Sequence, residues 1–166
     1  MRTNADGRLL VPWGYVAAAN VDPIEKKPFM HFLPGSSALT FGMLGCNFHC
    51  DFCQNWVSSQ TLRDPASDSS LRYIQEISAE ELVRYAVNSG ARVIASSYNE
   101  PLITTEWAIQ IFKSAKETDL KCVYVSNGFA TPEALKALQP YLDGYKIDLK
   151  CISDDKYRSL GGNLQV

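Results

Sequence analysis

The sequence carries no excess of positive charge: 16 Lys and Arg stand against 18 Asp and Glu, for a net charge of −2. A basic footprint for nucleic acid is therefore missing. No run approaches the roughly 20 apolar residues of a membrane span. The polar first ten residues hold no apolar signal core, so the chain reads as cytoplasmic, without membrane or nucleic-acid partners. It has no low-complexity tract and no tight repeat. Histidine is scarce, and His31 and His49 read as non-ligands. The 46% apolar content excludes a disordered chain, and 166 residues suffice for one domain with a real core, two at most. No disulfide staple is required at that size.

Cysteine is present in an informative pattern. The five lie at positions 46, 50, 53, 122 and 151, an odd number with three inside eight residues. In a chain read as intracellular, such clustering points to metal or redox chemistry rather than a disulfide framework.

Hydrophobic patterning organises the rest. Residues 1–37 read as an N-terminal extension with a strand or two, holding apolar runs at Tyr15–Val21 and Phe29–Leu33. The core reads as 38–166. A buried strand is expected over Ala38–Leu44, directly before the cysteines. Residues 58–72, rich in Ser, Asp, Pro and Arg, read as a mobile connection. Ser78 with Glu81 forms a capping-box pattern opening a helix that Gly90 ends. Strands are expected at 92–96, 121–125 and 145–149. Helices are expected from Thr104 or Thr105 to Glu117, from the Thr131-Pro132-Glu133 cap to Leu138, and from Ser153. Strands alternating with helices indicate βα units on a parallel sheet. Ligands of such sheets bind beyond the strands' C-terminal ends. Cys46–Cys53, Ser97–Pro101, Ser126–Gly128 and Asp148–Lys150 fall there.

The spacing C-x3-C-x2-C of Cys46, Cys50 and Cys53 admits three readings. A structural zinc site normally wants four closed ligands in pairs. The fourth here would be His49, Cys122 or Cys151. An electron-transfer [4Fe–4S] cluster also wants four cysteines. A cluster held by only three leaves one iron open to a ligand, which suits catalysis. A non-catalytic iron–sulfur or zinc protein, and a truncated domain without turnover, are the rival functions.

The loop Cys46-Asn47-Phe48-His49-Cys50-Asp51-Phe52-Cys53, with Phe52 as the aromatic before the last cysteine, resembles the signature of radical S-adenosylmethionine (radical SAM) enzymes. Further stretches extend the likeness: Lys26-Lys27-Pro28, His31 to Gly35, Gln54-Asn55-Trp56, Tyr98 to Pro101, Ser126-Asn127-Gly128 and Lys146 to Lys150. Together they are similar to the branch of pyruvate formate-lyase activating enzymes, and most to the AmmeMemoRadiSam-system radical SAM enzymes. The resemblance implies a partial TIM-type (β/α) barrel, a [4Fe–4S] cluster on the three cysteines, and S-adenosylmethionine chelated by the open iron. An electron from a reductant such as flavodoxin or ferredoxin would split that cofactor to methionine and a 5′-deoxyadenosyl radical. The radical would take a hydrogen atom from a substrate, a partner glycyl-radical enzyme in the branch's case.

The resemblance also assigns roles. Asn99 and Glu100 would hold the cofactor's ammonium, with Asn99 standing where the family has glycine. Ser126 and Asn127 would line its methionine end. Lys150 would meet its carboxylate, oriented by Asp148, with Leu149 turned inward. Val125 stands where the activating enzymes often have Asp. Each stretch also has a structural reading: a solvated Glu before a turn proline, an Asn-Gly turn, a capping Asp. Cys122 reads as core, Cys151 as incidental, and Trp56 and Trp107 as packing. The family core has about six βα units, of which about four fit before Val166, so truncation and an open sheet edge are expected.

Overall fold

The computed structural model describes residues 2–61 and 63–165. A hairpin of β1 (Thr3–Ala5) and β2 (Arg8–Leu10) opens the chain. Asp6-Gly7 turns it, both residues with positive φ, as a tight hairpin turn requires. β3 (Tyr15–Val16) and β4 (Ala18–Pro23) follow. β5 (Ser37–Gly42), α1 (Trp56–Gln60), β6 (Gln75–Glu76) and α2 (Ala79–Asn88) come next, then β7 (Val93–Ser96) and α3 (Thr105–Ala115). β8 (Lys121–Ser126), α4 (Pro132–Leu138), β9 (Gly144–Ile147) and α5 (Asp154–Ser159) complete the order.

The main sheet runs β4-β5-β7-β8-β9. β4 is an antiparallel edge strand on β5, whereas β5, β7, β8 and β9 are parallel neighbours. Mixed α/β architecture with a run of parallel strands is the expected class, and it is consistent with a partial barrel. The capping box at α2 is complete: Glu81 N–H donates to Ser78 Oγ (3.1 Å) and Ser78 N–H to Glu81 Oε2 (2.9 Å).

Period-two alternation gives the sheet two different faces. Leu39, Phe41, Ile94, Cys122 and Tyr124 point into the main core, with Leu82 and Ala86 of α2 and Trp107, Ile111 and Phe112 of α3. Each fully buried large side chain there contributes ~2 kcal/mol by leaving water. Trp13 packs against Trp107 in a tilted arrangement, with ring centroids 5.0 Å apart. The opposite face carries smaller groups, Ala38, Val93, Ala95 and Val123. Ile24, Phe29, Phe32 and Leu33 pack against them. The apolar run 29–33 is thus no strand: it plugs the second face.

Two further expectations need correction. Residues 58–72 do not form a loose connection. α1 occupies 56–60, and a 3-10 helix spans Pro65–Tyr73, its start capped by Asp64, which accepts from Ala66 N–H at 2.9 Å. Leu62 within it lies outside the described residues. The low apolar content concealed this order because the buried groups are polar: Ser59, Gln60 and Thr61 are held by hydrogen bonds. Leu149 is not turned inward. β9 ends at Ile147, and Leu149 is 62% exposed.

A candidate cofactor site

The C-terminal ends of β5, β7, β8 and β9 converge on one cavity of about 470 Å³. All ten residues assigned from the sequence line it: Cys46, Cys50, Phe52, Cys53, Asn99, Glu100, Ser126, Asn127, Asp148 and Lys150. They come from four separate loops, which parallel βα units bring to one end of the sheet.

The cysteine loop leaves β5 through Gly45, whose φ of 98° permits the reversal. It is anchored on several sides. Gly45 N–H donates to Ser58 O (2.9 Å) and His49 N–H to Leu160 O (3.0 Å). Gln60 Nε2 donates to Phe48 O (3.1 Å), and Asn127 Nδ2 to Asn47 Oδ1 (2.8 Å). Phe48 is buried between Phe129 and Tyr157, with centroids 5.4 Å from each. Cys46, Cys50, Cys53 and Cys151 gather around this aromatic group.

All five cysteines are free thiols. Burial pushes Cys46 up to about 11, with the charges of Glu100 and the other two loop cysteines adding to it. Burial also raises Cys50, opposed by Lys150. Cys46 and Cys50 are therefore protonated at neutral pH, and their ligation releases protons. Cys46 Sγ accepts from Phe48 N–H, and Cys53 Sγ lies 3.4 Å from Ser59 Oγ. Among the described residues, no three Cys, His, Asp or Glu side chains are gathered to hold a single metal ion. Thiolates on different corners of an iron–sulfur cube stand further apart than ligands of one ion. Three free thiols on one anchored loop, sharing one cavity wall, fit such a cluster as a donor set.

Glu100 is only 2% exposed. Its Oε1 accepts from Ser126 Oγ (2.7 Å) and Leu102 N–H (3.0 Å), and its Oε2 from Asn127 N–H (2.7 Å). This carboxylate thus ties the β7 loop to the β8 loop and keeps one lone pair of Oε2 for the cavity. Burial raises its pKa, against those three hydrogen bonds and the charge of Lys150. In Glu100→Gln an NH2 group faces a donor whichever way the amide turns. That substitution is expected to cost about 2 kcal/mol, read as a lower urea midpoint.

Asn99 bridges two walls: Ser58 Oγ donates to its Oδ1 (2.9 Å), and its Nδ2 donates to Met43 O (3.4 Å). The Tyr98–Asn99 peptide is cis. Asp148 is anchored by its N–H on Ser126 O (2.7 Å) and pairs with both Lys146 and Lys150. Phe52 stands 54% exposed at the cavity mouth, and Trp56 is partly exposed beside it in sequence. Cys122 is buried in the main core. The cavity also includes Ser59, Tyr98, Lys27 and Lys146, to which sequence reading gave no individual role. For Lys27 the available signal was a lysine directly before Pro28 and the apolar run that follows it.

An uncharacterised protein of Methanocaldococcus jannaschii is 36% identical over 154 residues, covering 92% of this chain and 44% of that one. The chain thus spans less than half the length of the curated relative it matches. The family model described as the radical SAM superfamily matches residues 41–164. That match begins on β5, takes in the cysteine loop and runs through α5, so the chain belongs to the radical SAM superfamily.

Proposed function

We propose that this protein is a radical SAM enzyme, holding a [4Fe–4S] cluster on Cys46, Cys50 and Cys53 and S-adenosylmethionine in the adjoining cavity. The observation that carries the reading is the convergence of the three thiols with Asn99, Glu100, Ser126, Asn127, Asp148 and Lys150 on one cavity. Members of the superfamily typically bind this pair of cofactors. Once bound and reduced, the pair supplies a 5′-deoxyadenosyl radical that abstracts a hydrogen atom.

The chain's own residues bind and orient. The remaining lone pair of Glu100 suits the cofactor's ammonium as a charge-assisted acceptor. Lys150, steadied by Asp148, suits its carboxylate. Asn127 ties the cysteine loop to the β8 loop, so the two halves of the site hold a fixed relation. Phe52 partly covers the cavity mouth. The motifs shared with pyruvate formate-lyase activating enzymes favour a glycine of a glycyl-radical enzyme as hydrogen donor, and a flavodoxin or ferredoxin as electron source. They also favour a cytoplasmic setting.

The test is anaerobic reconstitution with iron and sulfide, followed by dithionite and S-adenosylmethionine. The expected result is about four irons per chain, a cluster absorption spectrum and stoichiometric 5′-deoxyadenosine. One equivalent of zinc with no iron spectrum, or a cluster that leaves S-adenosylmethionine intact, overturns the reading.

A further inference from the structure

The cavity wall carries more positive charge than the cofactor roles use. Lys26, Lys27, Lys146 and Lys150 line it, against Glu100 and Asp148. Three of the four ammonium groups have a carboxylate within hydrogen-bond reach. Lys26 is exposed and pairs with Asp22 at 2.6 Å. Lys146 and Lys150 both pair with Asp148. Burial, with the charge of Lys150 adding to it, pushes Lys146 below its ordinary value.

Lys27 differs. Its side chain is 8% exposed, and its nearest carboxylate oxygen, Asp22 Oδ2, is 3.9 Å away, beyond hydrogen-bond reach. Among the described residues, its ammonium donates one hydrogen bond, to Tyr98 Oη. It also sits 4.6 Å from the centroid of the Tyr98 ring. A lysine has three donors, so two remain, and the Tyr98 hydroxyl, which accepts from Lys27, keeps its own proton to donate. Both groups border the cavity. A buried ammonium whose one carboxylate stands beyond hydrogen-bond reach is incompletely satisfied unless a further anion reaches it. The two side chains are held from different elements. Lys27 follows the turn after β4, within the segment whose Ile24 and Phe29 plug the second face of the sheet. Tyr98 follows β7, its carbonyl accepting from Met43 N–H at 3.0 Å.

We propose that Lys27 and Tyr98 form a recognition site for a compact anionic group, carboxylate or phosphate, on the substrate that shares this cavity with S-adenosylmethionine. The proposal rests on the radical SAM reading for the identity of the second occupant. It adds a substrate class: the molecule, or the segment of a protein substrate, that enters the cavity bears a negative charge. The ammonium and the phenolic O–H together present one charged and one neutral donor, which a two-oxygen acceptor can engage at once.

The test uses the anaerobically reconstituted protein in a buffer free of competing anions. Inorganic phosphate and succinate are titrated separately by calorimetry, each with and without saturating S-adenosylmethionine. The expected result is saturable binding of at least one of them, undiminished by S-adenosylmethionine. The arm that binds tells phosphate from carboxylate. Lys27→Met is expected to weaken that binding at least about tenfold, and Tyr98→Phe about threefold. Affinity for S-adenosylmethionine should stay within about twofold of the parent in both. Tyr98→Phe removes one oxygen and keeps the ring, so it remains informative where Lys27→Met fails to fold. Three results overturn the proposal: no saturable anion binding, anion binding unaffected by both variants, or S-adenosylmethionine displacing the anion and weakening in step with it. That last result would place Lys27 on the cofactor's carboxylate. Failure of the parent to bind S-adenosylmethionine is a separate result, which removes the functional reading, not the anion site.

Discussion

Cys50→Ala is expected to abolish 5′-deoxyadenosine formation, by at least about a hundredfold, with iron content falling in parallel. Cys50 lies on the loop pinned by Gln60, Leu160 and Asn127, so its thiol cannot be replaced by a neighbour sliding into its place. Cys151 packs into the same aromatic group, but its sulfur already accepts from Ser153 N–H. The fold should survive. Cys50 is small, and its replacement by Ala removes one buried sulfur, worth about 1 kcal/mol. Cys122→Ala is the matched control. That thiol is buried on the helix-facing side of β8, outside the cavity lining and even more fully shielded from water than Cys50. Its loss should cost comparable stability and leave iron content unchanged. Iron and 5′-deoxyadenosine at parental levels in Cys50→Ala would remove this cysteine from the ligand set.

What the sequence shows of this fold, it shows through local rules. Ser78 and Glu81 mark a helix start three residues apart, and Thr131-Pro132 marks another, because caps are made by neighbours along the chain. The parallel strands are visible as apolar runs because both their faces are covered. The Asp6-Gly7 turn of the first hairpin was equally local, a strong turn signal between two short strands. Its flanks, Asn4 and Arg8 among them, are too polar and short to read as strands without their partner. The site divides in the same way. The cysteines and the Asp148-Leu149-Lys150 stretch are compact motifs. The burial of Lys27 is not, because it depends on residues 24–33 folding back across Ala38, Val93 and Val123. The order in 56–73 was hidden for a related reason. Ser59 and Gln60 are buried by contacts with the cysteine loop, and polar composition is silent about hydrogen bonds made across a dozen residues.

Gly42 has the same non-local character, and Gly42→Ala is expected to destabilise the protein by about 3 kcal/mol. No unusual backbone angle explains the glycine. A Cβ at this position would stand 2.0 Å from the Tyr98 carbonyl oxygen and 2.6 Å from Tyr98 Cβ. The first of those is backbone, so no rotamer change relieves it. Moving Tyr98 away would break the bond from Met43 N–H to its carbonyl and pull on Asn99, which holds Met43 O. Moving Gly42 instead would disturb Ala17 N–H, which donates to Gly42 O at 2.8 Å, and the end of β5 from which the cysteine loop departs. Either shift reaches the site, so iron loading should fall along with the urea midpoint. Gly90→Ala provides the comparison. It has a φ of +72° and open space around it, so it should cost about 1 kcal/mol through backbone strain alone and leave loading intact. Equal losses in the two variants would show that close approach at Gly42 is not what fixes the β5–β7 junction. A larger loss at Gly42, with reduced iron, is the outcome that ties the geometry of that junction to the cofactor site.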